Sequence, residues 1–120
     1  MEYINNMMEK FRAKHLEHIE LYGDDNQKRL TGHHETSSMT EFSYGVGNRA
    51  ASFRIPTSTA HAAGKGYVED RRPASNIDPY MVSAMLVDTG VLAESLAGDM
   101  KKAFADWKVW RAANKFENLV

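Results

Sequence analysis

Residues 64–79 read GKGYVEDRRPASNIDP, and six of them, Tyr67-Val68-Glu69-Asp70-Arg71-Arg72, bring a tyrosine, two acids and two arginines together. In an extended chain alternate side chains share a face. Tyr67, Glu69 and Arg71 then point one way, and Val68, Asp70 and Arg72 the other. One face offers an aromatic ring, a carboxylate and a guanidinium in a row, a set suited to a metal-bound nucleotide and an anionic substrate held side by side. Pro73 stops the strand. Asp78-Pro79 reads as the cap and first residue of a helix, because proline lacks the N–H that this position leaves unused.

Upstream, Ala50–Pro56 (AASFRIP) predicts a second strand, with Ala51, Phe53 and Ile55 on one face and Ala50, Ser52 and Arg54 on the other. Arg49 and Arg54 are five apart, so they converge only if Arg49 lies on the preceding loop, where Gly45 and Gly47 permit a turn. The small polar connection Thr57–Lys65 makes the two strands neighbours or a hairpin. Residues 27–48 read as a polar loop carrying Arg29 and the run His33-His34-Glu35. That run is either a surface loop or a candidate zinc site, although adjacent histidines do not easily reach one ion.

Met1–Tyr22 has apolar or aromatic residues at Ile4, Met7, Met8, Phe11, His15 and Ile19, a helical period. His15 and His18, three apart, are a conceivable metal pair. Pro79–Ala97 predicts a helix with a stripe of Val82, Met85, Leu86, Thr89, Leu92, Ala93 and Leu96, weakened at Gly90. A break at Gly98-Asp99 and a last helix, Met100–Lys115, carry Phe104, Trp107 and Trp110 on one face. Phe116–Val120 is expected to fray.

The chain has 120 residues, 42% hydrophobic and 26% charged, which suits one soluble domain with a modest core. A net charge of -1 gives no bulk attraction to nucleic acid or membrane. There is no cysteine, hence no disulfide framework and no thiol nucleophile. No apolar run approaches the roughly 20 residues of a membrane span, and the acidic N-terminus does not resemble a secretory leader. A cytoplasmic location is the expectation, with an organelle as the alternative.

Three ordered blocks, RLTGHHETS, NRAASFRIP and GYVEDRRPASNIDPY, resemble the glutamine synthetases, especially the class common in eukaryotes. The likeness runs from Arg29 to about Val91 and extends more weakly back to Met1. It implies an α+β fold, an antiparallel sheet portion with flanking helices, in which 1–97 is the C-terminal portion of the catalytic domain and 98–120 a helical tail. By resemblance, Glu35 is the acid of a flap that covers the intermediate and takes a proton from ammonium, and Arg29 and Arg71 contact the glutamate substrate. Arg49 and Arg54 face the ATP phosphates, Arg49 also meeting substrate. Tyr67 contacts the nucleotide, and Glu69 is a ligand of a Mg²⁺ or Mn²⁺ ion.

The reaction implied joins ATP, L-glutamate and ammonium into glutamine through γ-glutamyl phosphate, in homo-oligomers whose active sites form between subunits. Family members are much longer and carry a further small domain, paired glutamate ligands and a histidine ligand that this chain lacks. The expectation is therefore a segment inactive alone. Alternatives are a truncated paralogue that binds the full-length enzyme and alters its assembly, and a stand-alone nucleotide binder using Arg49, Arg54 and Arg71.

Overall fold

The computed structural model describes residues 1–92 and 97–114. Helices α1 (Glu2–Ala13) and α2 (His15–Leu21) lead to a 3-10 turn (Asn26–Lys28). Strands β1 (Tyr44–Val46) and β2 (Phe53–Ile55), helix α3 (Thr57–His61) and strand β3 (Glu69–Asp70) follow, then α4 (Pro79–Val87), a π turn (Asp88–Leu92) and α5 (Ala97–Asn114). The fold is α+β, as the sequence implies.

The sheet is mixed rather than purely antiparallel. β2 and β3 are antiparallel neighbours, pairing Phe53 with Asp70 and Arg54 with Glu69. β1, in a stretch the composition marks as loop, pairs parallel to β2, Tyr44 against Phe53 and Val46 against Ile55. Three-residue strands present too little alternation to stand out among glycines and serines. Gly66 leads into β3 with φ +150, and a Cβ there would run into the Thr59 side chain. Thr59 Oγ1 donates to the Tyr67 carbonyl at 2.9 Å.

The single N-terminal helix expected from the period is two, divided at Lys14 (φ -111, ψ 19). The division adjoins His15, whose ring is held on both sides. Nε2 meets the Met39 carbonyl at 2.8 Å, and Nδ1 faces Arg72 Nη1 at 3.1 Å. At the other end Asp78 caps α4 by accepting from the Tyr80 N–H, with Pro79 at the first position, as read from sequence. The helix then widens at Asp88–Leu92. Gly90 lies against α1 there, where a Cβ would sit 3.2 Å from Phe11 Cζ. The expected break at Gly98-Asp99 is absent, since α5 runs through both. α5 packs against α2 and α4, and Lys108 pairs with Asp24 at 2.6 Å. Trp107 is half-buried and Trp110 exposed. Ala93, Leu96, Phe116–Val120 and the side chain of Phe104 lie outside the described residues.

Two apolar clusters make the core. Ile4, Met8 and Phe11 of α1 meet Phe42, Phe53 and Ile55, while Leu21 and Tyr22 meet Val82 and Met85 of α4. Between them lies Arg72, with 0% of its surface exposed. Asp70 accepts from its Nε and Nη2, both at 2.9 Å. The guanidinium carbon lies 4.9 Å from the Phe53 ring centroid, 5.0 Å from Tyr22, 5.5 Å from Phe42 and 5.8 Å from Phe11. The alternation of the 67–72 stretch therefore holds, and its second face points into the core.

His18, fully buried, continues the network. Its Nδ1 is 2.7 Å from the Tyr22 hydroxyl and its Nε2 2.7 Å from Thr89 Oγ1. The ring nitrogens of His15 and His18 are thus committed to hydrogen bonds, which answers the metal-pair reading. Burial, then the charges of Arg72, His15 and Lys14, push His18 down to about 3 from 6.5. Burial also lowers His15, opposed in part by its bond to Met39.

Two predictions follow from this core. Arg72→Met leaves the Asp70 carboxylate buried without its partner and is expected to cost about 3–5 kcal/mol. The double variant Asp70→Leu/Arg72→Met removes both charges and is expected to cost less than Arg72→Met alone; urea unfolding giving an equal or larger loss would contradict the pairing. Both histidines are held neutral in the fold, so the stability they contribute is present above pH 6.5, where the unfolded chain also leaves them neutral. Below it the unfolded chain takes protons that the folded chain refuses, and stability is lost progressively as pH falls toward 3. The urea midpoint should drop between about pH 7.5 and about pH 5, and His18→Gln should flatten that drop.

Candidate functional site

The outward face of β3 carries the other half of the stretch. Register places Arg54 directly opposite Glu69, and Arg54 Nε donates to Glu69 Oε2 at 2.6 Å. Arg71, two residues on, reaches both Glu69 oxygens with Nη1 at 3.4 Å. The hydrogen bond from Arg54 is the main reason the Glu69 carboxyl lies below its usual range, with Arg71 reinforcing it. The same bond holds the Arg54 guanidinium above its ordinary value, and the nearby Tyr67 hydroxyl adds to this. The cluster is one carboxylate between two guanidiniums, bordered by an exposed tyrosine.

Two loops reach this face. Arg49 lies on the turn after β1, and its carbonyl accepts from Arg71 Nε at 2.9 Å. The Glu35 carbonyl accepts from Arg71 Nη2 at 3.3 Å. Of the seven residues singled out by sequence, six therefore gather here, Arg49 and Glu35 through their backbones.

Arg29 meets the same strand from its far end. Its Nη2 donates to the carbonyls of Arg71 (3.1 Å), Arg72 (2.6 Å) and Pro73 (3.1 Å), and its Nε to Asn26 Oδ1 (3.3 Å). Burial, then the Arg71 charge, lowers its pKa. In this structure Arg29 is a clamp on the backbone that leaves β3. Asn26, buried, bonds the same Arg72 carbonyl through Nδ2 at 2.7 Å. Sequence reasoning passed over Asn26, which reads as one polar residue in a turn, and over the pair Asp70–Arg72. The second had a signal, since alternation sets Arg72 on the face of Val68.

Among the described residues no group of three His, Cys, Asp or Glu side chains is arranged to hold a metal ion. His33, His34 and Glu35 are exposed on a loop. Glu69 supplies one carboxylate, already shared by two guanidiniums, where Mg²⁺ takes six oxygen ligands. The described residues do not fit a metal on their own. Among them, too, no helix is long and apolar enough to cross a membrane.

No family model matches the chain. Curated relatives do. It is 55% identical over 109 residues to the glutamine synthetase of Saccharomyces cerevisiae, covering 87% of this chain and 28% of that protein. It is 51% identical over 115 residues to the glutamine synthetase of Candida glabrata, covering 96% of this chain and 29% of the relative. To the glutamine synthetase cytosolic isozyme of Pinus sylvestris it is 53% identical over 91 residues, covering 76% and 25%. The chain spans little more than a quarter of the length of these relatives.

The clamp makes a prediction. Asn26→Ala removes the donor to the Arg72 carbonyl and the acceptor for Arg29, and is expected to cost about 1–3 kcal/mol. Urea unfolding with an unchanged midpoint would show that Arg29 alone secures the strand exit.

Proposed function

The chain belongs to the glutamine synthetase family over a portion of that family's length, and on this premise we propose that it is the C-terminal segment of the catalytic domain. In the complete, homo-oligomeric enzyme it serves the ATP-dependent ligation of ammonium to L-glutamate through γ-glutamyl phosphate. The observation that carries this reading is the gathering of Arg54, Glu69, Arg71 and Tyr67 on one strand face, with the Arg49 turn and the Glu35 loop closing on it.

Each side chain has work suited to its chemistry. Guanidinium forks bind phosphoryl and carboxylate oxygens in pairs, so Arg49 and Arg54 receive the ATP phosphates and Arg71 the substrate carboxylate. Phosphoryl transfer needs positioning and positive charge more than covalent help from the protein. Tyr67, exposed beside Arg54, lines the nucleotide. Arg29 supports Arg71 by holding its backbone, and a direct contact to substrate would come in addition. Glu35, on a loop that Gly32 lets bend, attracts ammonium, takes its proton and shields the acyl phosphate from water. A divalent cation, with Glu69 as one ligand and the others from beyond these residues, would neutralise phosphate charge. The location proposed is the cytoplasm, in keeping with the name of the pine relative.

The test is Glu35→Ala placed in the complete enzyme. ATP and glutamate binding should persist, while ammonium-dependent turnover falls on the order of 10²–10⁴. Phosphate released per glutamine formed should rise above one, because the unshielded intermediate is lost to water. A one-to-one ratio with an unchanged KM for ammonium would reject the role of Glu35.

A further inference from the structure

The turn that carries Glu35 is closed on itself. The Thr36 N–H and hydroxyl both donate to the His33 carbonyl, at 3.1 and 2.5 Å, and the His33 N–H donates to Thr31 Oγ1 at 3.3 Å. The turn 33–36 therefore moves as one piece, and its two legs are unlike. The leading leg is Gly32, exposed at φ +81, where a Cβ would meet only the Ser38 backbone, 3.9 Å away. The trailing leg is Ser37, which follows Glu35 by two positions and is, among the described residues of 31–38, the buried one. Its hydroxyl oxygen lies 3.2 Å from Ser52 Oγ.

Ser52 stands just before β2, fully buried, and the sheet holds it through its backbone and its hydroxyl. Its N–H donates to Ser43 Oγ at 3.3 Å, its Oγ accepts from the Ser43 N–H at 3.2 Å, and its carbonyl accepts from the Arg71 N–H at 2.9 Å. The Glu41 carbonyl, 3.4 Å from Ser52 Oγ, is a second acceptor for its one proton. The trailing leg of the Glu35 turn is thus moored to a point that the sheet fixes, while the leading leg is free to bend.

We propose that Ser37 is a positioning residue for Glu35 in the ligation: its hydroxyl, held by Ser52, is the fixed pivot about which the turn closes, and Gly32 supplies the movement. The proposal rests on the reading of Glu35 as the acid that covers the intermediate. A cover with two loose legs reaches its seat in many orientations, whereas one with a buried leg returns to a single one. The Glu35 carboxylate has to arrive within hydrogen-bond reach of ammonium, and a misplacement of about 1 Å is costly at that distance. Because the Ser52 carbonyl also holds the Arg71 N–H, the pivot and the strand it faces share one support. Ser37 itself is buried and acts only through the turn it anchors.

The experiment compares variants in the complete enzyme. Ser37→Ala should raise the phosphate released per glutamine formed and raise the KM for ammonium, with the KM values for ATP and L-glutamate unchanged. Turnover should fall about 2- to 10-fold, the size of one neutral hydrogen bond and far less than in Glu35→Ala. Ser38→Ala, which loses a hydroxyl that bonds Thr40 within its own turn, should leave the ratio of phosphate to glutamine as it is in the unaltered enzyme. Ser52→Ala should raise that ratio, and Ser37→Ala/Ser52→Ala should raise it no further, because both changes remove the same tie. If Glu35→Ala shifts the ratio and the ammonium KM while Ser37→Ala shifts neither, the pivot is refuted and the role of Glu35 stands. If Glu35→Ala shifts neither, the reading of the loop as a cover falls and the pivot falls with it. The pivot is also overturned by a Ser37→Ala that raises the KM for ATP or L-glutamate as much as that for ammonium, by a Ser38→Ala of equal effect, or by effects at Ser37 and Ser52 that simply add.

Discussion

The guanidinium of Arg72 is the point on which the two halves of the core meet. Removing a charge from water costs several kcal/mol, and the cost is offset only by geometry that satisfies the group from all sides. Here Asp70 accepts a fork, His15 and Tyr22 accept further bonds, and four aromatic rings lie within 6 Å of the guanidinium carbon. An arginine suits this place because its planar, weakly hydrated ion both forks and stacks; a lysine would do neither. The groups that surround it come from α1, α2 and its C-terminal end, the segment at Phe42, β2 and β3, so one side chain states how five segments must be arranged.

The same constraint reaches the outer face. Glu69 and Arg71 alternate with Asp70 and Arg72, and a slip of one residue would exchange the two sets. Locking Asp70 and Arg72 inside therefore fixes which side chains face Arg54. Asn26 and Arg29 act on the backbone of the same segment, holding the carbonyls of residues 71–73 where the strand ends. The row of charges outside has its precision from a charge inside and a clamp at the exit.

Much of this was legible in order of residues. Alternation over 67–72 gave the two faces, the 50–56 pattern gave its partner strand, and Asp78-Pro79 marked the start of α4. Strand β1 was not legible because three residues with a glycine between them carry no period. The bend at Lys14 has no proline or glycine to announce it and accompanies tertiary bonds to His15. Reading Arg72 and Asp70 as interior required accepting two charges on an apolar face, which base expectation discourages. The site was visible as a set of residue types, but its wiring was not. That Glu35 and Arg49 meet Arg71 through carbonyls depends on loop conformation, about which side-chain identity is silent.

The cage around Arg72 also bears on the order in which the chain assembles. Its members are spread from Phe11 to Arg72, and apart from the fork to Asp70, two residues away, the contacts that compensate its burial come only when remote segments have come together. Until then the guanidinium is better hydrated than buried, so rings at Phe11, Phe42 and Phe53 can collapse first and the ion must enter afterwards. A group most of whose contacts wait for the native arrangement acts on escape more than on entry: it raises the barrier to unfolding while leaving the early collapse alone. The centre of the molecule is in this sense a closing bolt, set last and withdrawn first.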